Sequence, residues 1–372
     1  MKTIPYLVLI QIFLYIISIL PFITSIKWQS NNIYLKITEN YKNCIIFLGI
    51  LFCIIASYDG DWYHYYDIIT TDDKNINNLD SLESIHKFIL KHFTFGNYLW
   101  WRFIIWGGTY FFYYLSLKRI HQNNIITWSC FTCMTMLQIS TGRVYLGISI
   151  LFYGFCCIIK PRYKYFSFIK GMFFMIIALF FHKSIFIYLS AALFAIFYIN
   201  NYVLLVGLII LPVIIKIFIS ALSYYLIGLE SANSAMGYMQ KETLEQGIGA
   251  AIYSNLFKLS IIIVLILFFK YLRQIKTSKY KGYLRNIWQY CYNIAFIFII
   301  VYLALTANGI GSTSISNRIF IGLYLPIPIL LSRMIQQNYH LNILISIWSI
   351  FFSLGIYRLL YAYYLQRLGT GV

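Results

Sequence analysis

Residues 144–159 read VYLGISILFYGFCCII, sixteen positions without a single Lys, Arg, Asp or Glu. A strand of a membrane barrel would alternate polar and apolar residues, and this run is continuous, so barrels are excluded and a buried or lipid-facing helix is expected. Similar runs recur at about 4–25, 43–57, 99–117, 125–140, 167–181, 185–200, 202–227, 251–270, 287–306, 318–333 and 341–360. A crossing of the hydrocarbon core needs about 20 apolar residues. A lone apolar start would suggest a signal peptide, but these runs continue to the C-terminus. The expected fold class is therefore all-α, a polytopic transmembrane bundle of about 12 spans. Residues 1–372 are read as one membrane domain with no internal repeat and no soluble domain.

Composition points the same way. The chain is 60% hydrophobic and 11% charged, where soluble domains carry roughly 25% charged residues. The net charge of +18 would suggest nucleic-acid binding in a soluble protein. Its distribution argues against that. Loops near 26–43, 118–124, 160–170, 270–286 and 333–340 hold 16 of the 29 Lys and Arg and one acid, Glu39. The stretches 58–98 and 228–250 hold the other ten acids. Basic loops stay in the cytoplasm, so the acidic stretches are expected outside.

The first outer loop, 58–98, contains Ile85, Phe88, Ile89 and Phe93 at near-helical spacing, which predicts an amphipathic surface helix over 84–95. The second, 228–250, carries Gly228, Gly237, Gly247 and Gly249 and reads as a loop. The seven cysteines lie in or at the edge of apolar runs. Cys130 and Cys133 form a CxxC with no second pair or nearby histidine to complete a zinc site, so all seven are read as packing residues.

Ionisable groups at the wrong end of a span carry the functional signal. Arg102, Arg143, His182 and Arg318 lie at outer ends, where positive charge is normally depleted. Snorkelling beside aromatic belts is the bland alternative, strongest for Arg102 after Trp100 and Trp101. Residues 57–67 read SYDGDWYHYYD. Carboxylates (Asp59, Asp61) among Trp62, Tyr63 and Tyr66 suit a sugar, with rings stacking on its C–H faces and carboxylates accepting from its hydroxyls. The same Asp-x-Asp spacing also permits a divalent cation. Lys216 within the 202–227 run is a further intramembrane charge without an assigned role.

Four motifs together resemble a known family. They are Tyr-Asp-x-Asp-Trp-x-x-Tyr-Tyr at 58–66, Thr-Gly-Arg-Val-Tyr-Leu-Gly-Ile-Ser-Ile-Leu-Phe at 141–152, Phe-His-Lys-Ser at 181–184 and Ser-Asn-Arg-Ile at 316–319. In this order they resemble the EpsG-like branch of bacterial polysaccharide polymerases, relatives of the Wzy O-antigen polymerases. The resemblance implies a GT-C-like polymerase or ligase architecture in the bacterial inner membrane. It implies a metal-independent glycosyltransferase, without cofactor, that joins undecaprenyl-diphosphate-linked oligosaccharide repeat units at the outer face into exopolysaccharide, capsule or O-antigen. Chain-length regulator and flippase proteins are the implied partners.

Within that frame Arg143, Arg318 and Arg102 are expected to hold the diphosphate. His182 is expected to act as base or acceptor orienter, with Asp59 or Asp61 competing for the base role. Trp62, Tyr63 and Tyr66 are expected on the sugar. The acidic, tyrosine-rich first loop and the short second outer loop depart from the wider family. A flippase or transporter and a ligase-like transferase are the rival readings.

Overall fold

The computed structural model describes residues 12–17, 32–55, 84–135, 142–160, 164–182, 184–196, 248–277, 283–307 and 320–367, with isolated positions besides. Among them every regular element is helical: α1 Asn32–Ile55, α2 Ser84–His92, α3 Tyr98–Arg119, α4 Ile125–Thr135, α5 Gly142–Ile159, α6 Lys164–Leu179, α7 Ile185–Ile196, α8 Ile248–Thr277, α9 Tyr283–Ala307, a 3-10 turn Gly322–Tyr324, α10 Pro326–Gln336 and α11 Leu341–Arg367. Apart from the turn at 180–181 and the 3-10 segment with its turn at 322–325, the apolar runs are α-helical where they fall on described residues. By length and composition α5 alone among the described helices meets the full requirement for a membrane crossing, while Asn40–Ile55, Ile125–Thr135, Tyr165–Leu179, Ile185–Ile196, Ile287–Leu303 and Leu341–Tyr357 are shorter apolar helices.

Two expectations change. The stretch 26–43 is not all loop, because α1 begins at Asn32. Its polar start holds good helix formers, Lys36 and Glu39, and the backbone propagates through them. The run 318–333 is interrupted by the 3-10 turn and restarts at Pro326, whose missing N–H is tolerated at a first helical position. The run 202–227, with Lys216, and nearly all of the 228–250 stretch lie outside the described residues.

The chain forms two compact units, Met1–Phe186 with Pro328–Val372, and Ile187–Ile327. In the second unit α8 and α9 pack antiparallel through Phe268 on Tyr292, and Phe257 and Tyr302 both meet Phe320. Lys258 sits over the Tyr302 ring at 5.1 Å.

The first unit is built around the fully buried helix α4. Tyr110 and Tyr113 of α3 pack on Trp128 and Phe131 of α4. The helices α3 and α5 run parallel, because Ile105 lies on Gly142, Leu146 on Gly108, and Arg119 on the carbonyl of Cys156. The helix α6 returns antiparallel to α5, with Ile158 against Gly171 and the turn after α6 against Gly147. The contact is closest where Gly154 faces Gly171, since small residues let helix backbones approach.

At the end of this unit holding Lys118, Arg119, Lys160 and Arg333, helix termini are closed by defined caps. Both α3 and α10 finish in Schellman motifs with a left-handed residue after the cap, His121 (φ 57°) and Asn338 (φ 53°). Gln122 N–H reaches the Leu117 carbonyl, and Tyr339 N–H the Met334 carbonyl. Asn124 caps α4 by accepting from Thr127 N–H at 3.0 Å and from the Ser332 hydroxyl of α10 at 2.9 Å. Losing both bonds at once, Asn124→Ala is expected to cost about 1–2 kcal/mol, read as a lower unfolding midpoint of the purified protein.

Candidate functional site: the cationic end of the first unit

At the opposite end of that unit lie the C-terminus of α1, the N-termini of α3 and α5, the helix α2 and the turn joining α6 to α7. Each helix N-terminus presents unpaired N–H groups and a partial positive charge. Two parallel helices therefore aim that charge at one face, to which arginines 102 and 143 add their own.

The two arginines are placed differently. Arg102 is 1% exposed. Its Nε and one Nη donate to the Cys53 carbonyl at 2.9 and 2.6 Å, and the other Nη donates to the Tyr98 hydroxyl at 3.1 Å. Cys53 falls in the last turn of α1, where carbonyls lack helical partners and the dipole is negative. Arg102 thus pins α1 to α3. Arg119 does the same for α5 at the other end of α3, donating to the Cys156 and Cys157 carbonyls and to Ser167. Arg143 is only half-buried, in the first turn of α5. Of the two, Arg143 is the one presented at this face.

The helix α2 turns one stripe inward and leaves rings of the expected apolar set outward. Burial follows His86, Leu90 and Thr94, four residues apart, whereas Phe88 and Phe93 are exposed. The expected set Ile85, Phe88, Ile89 and Phe93 fits the helical period equally well. What decides is Trp101, whose indole N–H donates to His86 Nε2 at 3.2 Å inside the protein. With Phe95, Leu99, Trp100 and Phe103, the exposed rings of α2 form an outward aromatic flank. The helix ends at His92, and Phe95 (φ 49°) and Gly96 (φ +70°) turn the chain into α3, capped by Asn97 accepting from Leu99 N–H. Sequence reasoning missed His86. Its signal was the second helical stripe, His86–Leu90–Thr94.

Because tryptophan only donates, His86 Nε2 carries no proton and the neutral ring holds it on Nδ1. Burial, and then the nearby charge of Arg143, hold its pKa down at about 3. A protonated His86 is thus disfavoured in the fold. An unfolded chain takes up this proton near 6.5, so stability is full above that pH. It is expected to fall by about 1.4 kcal/mol per pH unit between about 6.5 and 3. Unfolding midpoints measured from pH 7 to 4 check this, and His86→Gln, whose carbonyl keeps the Trp101 bond, should flatten the slope.

His182 is 1% exposed in the α6–α7 turn. Its Nδ1 accepts from the Ser184 backbone N–H at 3.0 Å and lies 2.7 Å from the Ser184 hydroxyl. In the neutral ring this places the proton on Nε2. The turn rests on Gly147, where an added Cβ would meet Phe181 and Ile185, one helical turn from Arg143. Thus Arg102, Arg143 and His182, well separated in sequence, share one end of the first unit. Arg318, Asp59, Asp61, Trp62, Tyr63 and Tyr66 lie outside the described residues. Among the described residues no group of three or more His, Cys, Asp or Glu is placed to hold a metal ion.

Among the described residues every regular element is helical, and arginine and histidine gather near two helix N-termini, a setting whose partial positive charge suits an anion. The chain is a member of the EpsG family, whose model matches residues 40–367. That is a family of membrane proteins of polysaccharide biosynthesis, of polymerase-like type. No curated protein and no solved structure matches the chain.

Proposed function

We propose that this protein is a repeat-unit polymerase, a metal-independent glycosyltransferase of the bacterial inner membrane. It joins undecaprenyl-diphosphate-linked oligosaccharides at the outer face, in a GT-C-like bundle of about 12 spans. The single observation that carries this reading is the cationic end built on Arg143, one helical turn from the His182 turn, in a chain of the EpsG family.

In the reaction the acceptor hydroxyl attacks the donor's anomeric carbon, and the bond from that carbon to the diphosphate breaks. Negative charge grows on the departing diphosphate, and preorganised cations aimed at developing charge are usually the largest catalytic contribution. Arg143 supplies a fixed charge and a bidentate donor fork, reinforced by the α5 N-terminus. Arg318 joins it in this proposal on its sequence motif. Arg102, clamped on Cys53, is assigned to holding the site's frame rather than touching phosphate.

With Nδ1 accepting from the Ser184 N–H, a neutral His182 carries its proton on Nε2, which favours a positioning role over taking a proton. The base is then Asp59 or Asp61, with Trp62, Tyr63 and Tyr66 stacking on the sugar. Two observations support the membrane setting. Large apolar side chains are exposed along α6, including Phe166, Ile169 and Phe173. Basic residues are gathered at the end opposite the site.

The test is reconstitution of the purified protein with labelled lipid-linked repeat units. A ladder of lengthening product is expected, and translocation without a ladder would make the protein a flippase. His182→Ala is expected to slow laddering by about 10²-fold, with the same pH profile as wild type. A profile that loses its acid limb would instead make His182 the base.

A further inference from the structure

We infer that the groove between α1 and α3 is the binding site for the isoprenoid chain of the lipid-linked donor, an inference that rests on the polymerase reading. The groove encloses about 650 Å³ and is lined by Asn43, Phe47 and Ile50 of α1 and by Phe103, Gly107 and Phe111 of α3, among others. That volume lies within the range of small-molecule sites.

Its form comes from one position. Phe103, Gly107 and Phe111 are four residues apart and so lie along one stripe of α3. Both phenylalanines are exposed, at 47% and 56%, and an added Cβ on Gly107 would meet nothing nearer than Phe103 at 4.0 Å. The stripe is therefore a notch between two rings, with Phe47 and Ile50 as the facing wall.

A partner helix does not suit this notch. Helix contacts in membranes are enriched in small residues repeated one turn apart, whereas Gly107 has Phe103 and Phe111 one turn away on either side, and the adjacent Gly108 is set against Leu146 of α5. A thin branched chain does suit it. Within a bilayer an apolar groove gains no hydrophobic preference over lipid, so selectivity has to come from shape. An isoprenoid carries a methyl branch on every fourth carbon, a spacing comparable to the roughly 6 Å rise from Phe103 to Gly107. Straight acyl chains have no branch to fill the notch.

The groove also joins the cationic end. Its upper rim, Phe103 and Ile104, follows Arg102 directly, and the next residue, Ile105, touches Gly142 beside Arg143. An anion at Arg143 with an isoprenoid tail can pass over the start of α3 into the groove.

The test uses the purified full-length protein in lipid nanodiscs with diazirine-tagged polyprenyl diphosphates that carry no sugar. The long-chain probe is expected to label peptides containing residues 43–50 and 103–114. Gly107→Leu, which meets open space and should not lower the unfolding midpoint, is expected to cut that labelling about tenfold. Equal labelling of wild type and variant, labelling confined to other helices, or competition by phosphatidylglycerol as strong as by polyprenyl phosphate would each overturn the inference. Since the probe has no sugar, the two readings separate. Labelled protein that makes no ladder sinks the polymerase reading alone, and a laddering protein with an unlabelled groove sinks this inference alone.

Discussion

Arg143→Ala is expected to lower the rate of product laddering about 10²–10³-fold and to leave short products in place of long-chain polysaccharide, at unchanged protein level. The unchanged level follows from placement. Arg143 is half-buried in the first turn of α5, where its charge faces the same-sign end of the helix dipole. Removing it takes away a repulsion as well as any contact. The rate effect follows from the chemistry, since a preorganised cation is most valuable where charge appears only in the transition state. Arg143→Lys should recover part of the rate, keeping the charge and losing the bidentate fork. Long polymer from the alanine variant at normal protein level would sink the diphosphate assignment.

Arg102→Ala should behave in the opposite way. The Cys53 carbonyl would lose both guanidinium donors inside the protein, at about 1–3 kcal/mol for the stranded acceptor. Protein level is therefore expected to drop before any effect on laddering can be read.

The largest effect on folding is expected from Gly154→Leu. A Cβ there would sit 2.6 Å from the Gly171 carbonyl oxygen and 3.0 Å from the Met175 backbone nitrogen. Backbone cannot turn aside as a side chain does, so α5 and α6 have to part along their contact. Overpacking of this kind costs about 3 kcal/mol, and more where both elements are rigid. The measurement is the unfolding midpoint in detergent beside that of Gly107→Leu, which adds the same side chain in open space. Equal midpoints for the two variants would show that α5 and α6 do not meet at Gly154. The His182 turn rests on the same helix pair, so any surviving Gly154→Leu protein should also ladder poorly.

Much of this fold was legible in the residues. A charge-free run such as 144–159 has one inexpensive way to satisfy its backbone away from water, and that is a helix. The helix is found at 142–159. The basic content of residues 118–124, 160–170 and 333–340 groups them on one side. Arg119 reaching Ser167, and Asn124 bonded to Ser332, put these segments at one end of the first unit. Arg143 and His182 were legible as charges out of place.

Other features depended on which neighbour arrives. Arg102 reads alike as a snorkelling arginine, a phosphate ligand or a helix clamp. The Cys53 carbonyl, 49 residues away, makes it a clamp. The amphipathic helix α2 has two stripes with helical period, and the Trp101 indole selects His86, Leu90 and Thr94 for the inside. His182 offers either ring nitrogen to a substrate, and the Ser184 N–H fixes which one keeps the proton.

The sequence by itself determined helix for most of its apolar runs where they fall on described residues, the segregation of its basic and acidic stretches, and Arg143 and His182 as cations set apart from the basic loops. Those properties follow from local composition and from the cost of unpaired backbone in an apolar medium. Only the tertiary structure decided that Arg102 is sealed against α1, that His86 is held neutral beside Arg143, and that Gly107 opens a notch where Gly154 closes a contact. Glycine, arginine and histidine each allow several roles. The choice among them is made by the backbone atom or ring that packing brings within a few ångströms.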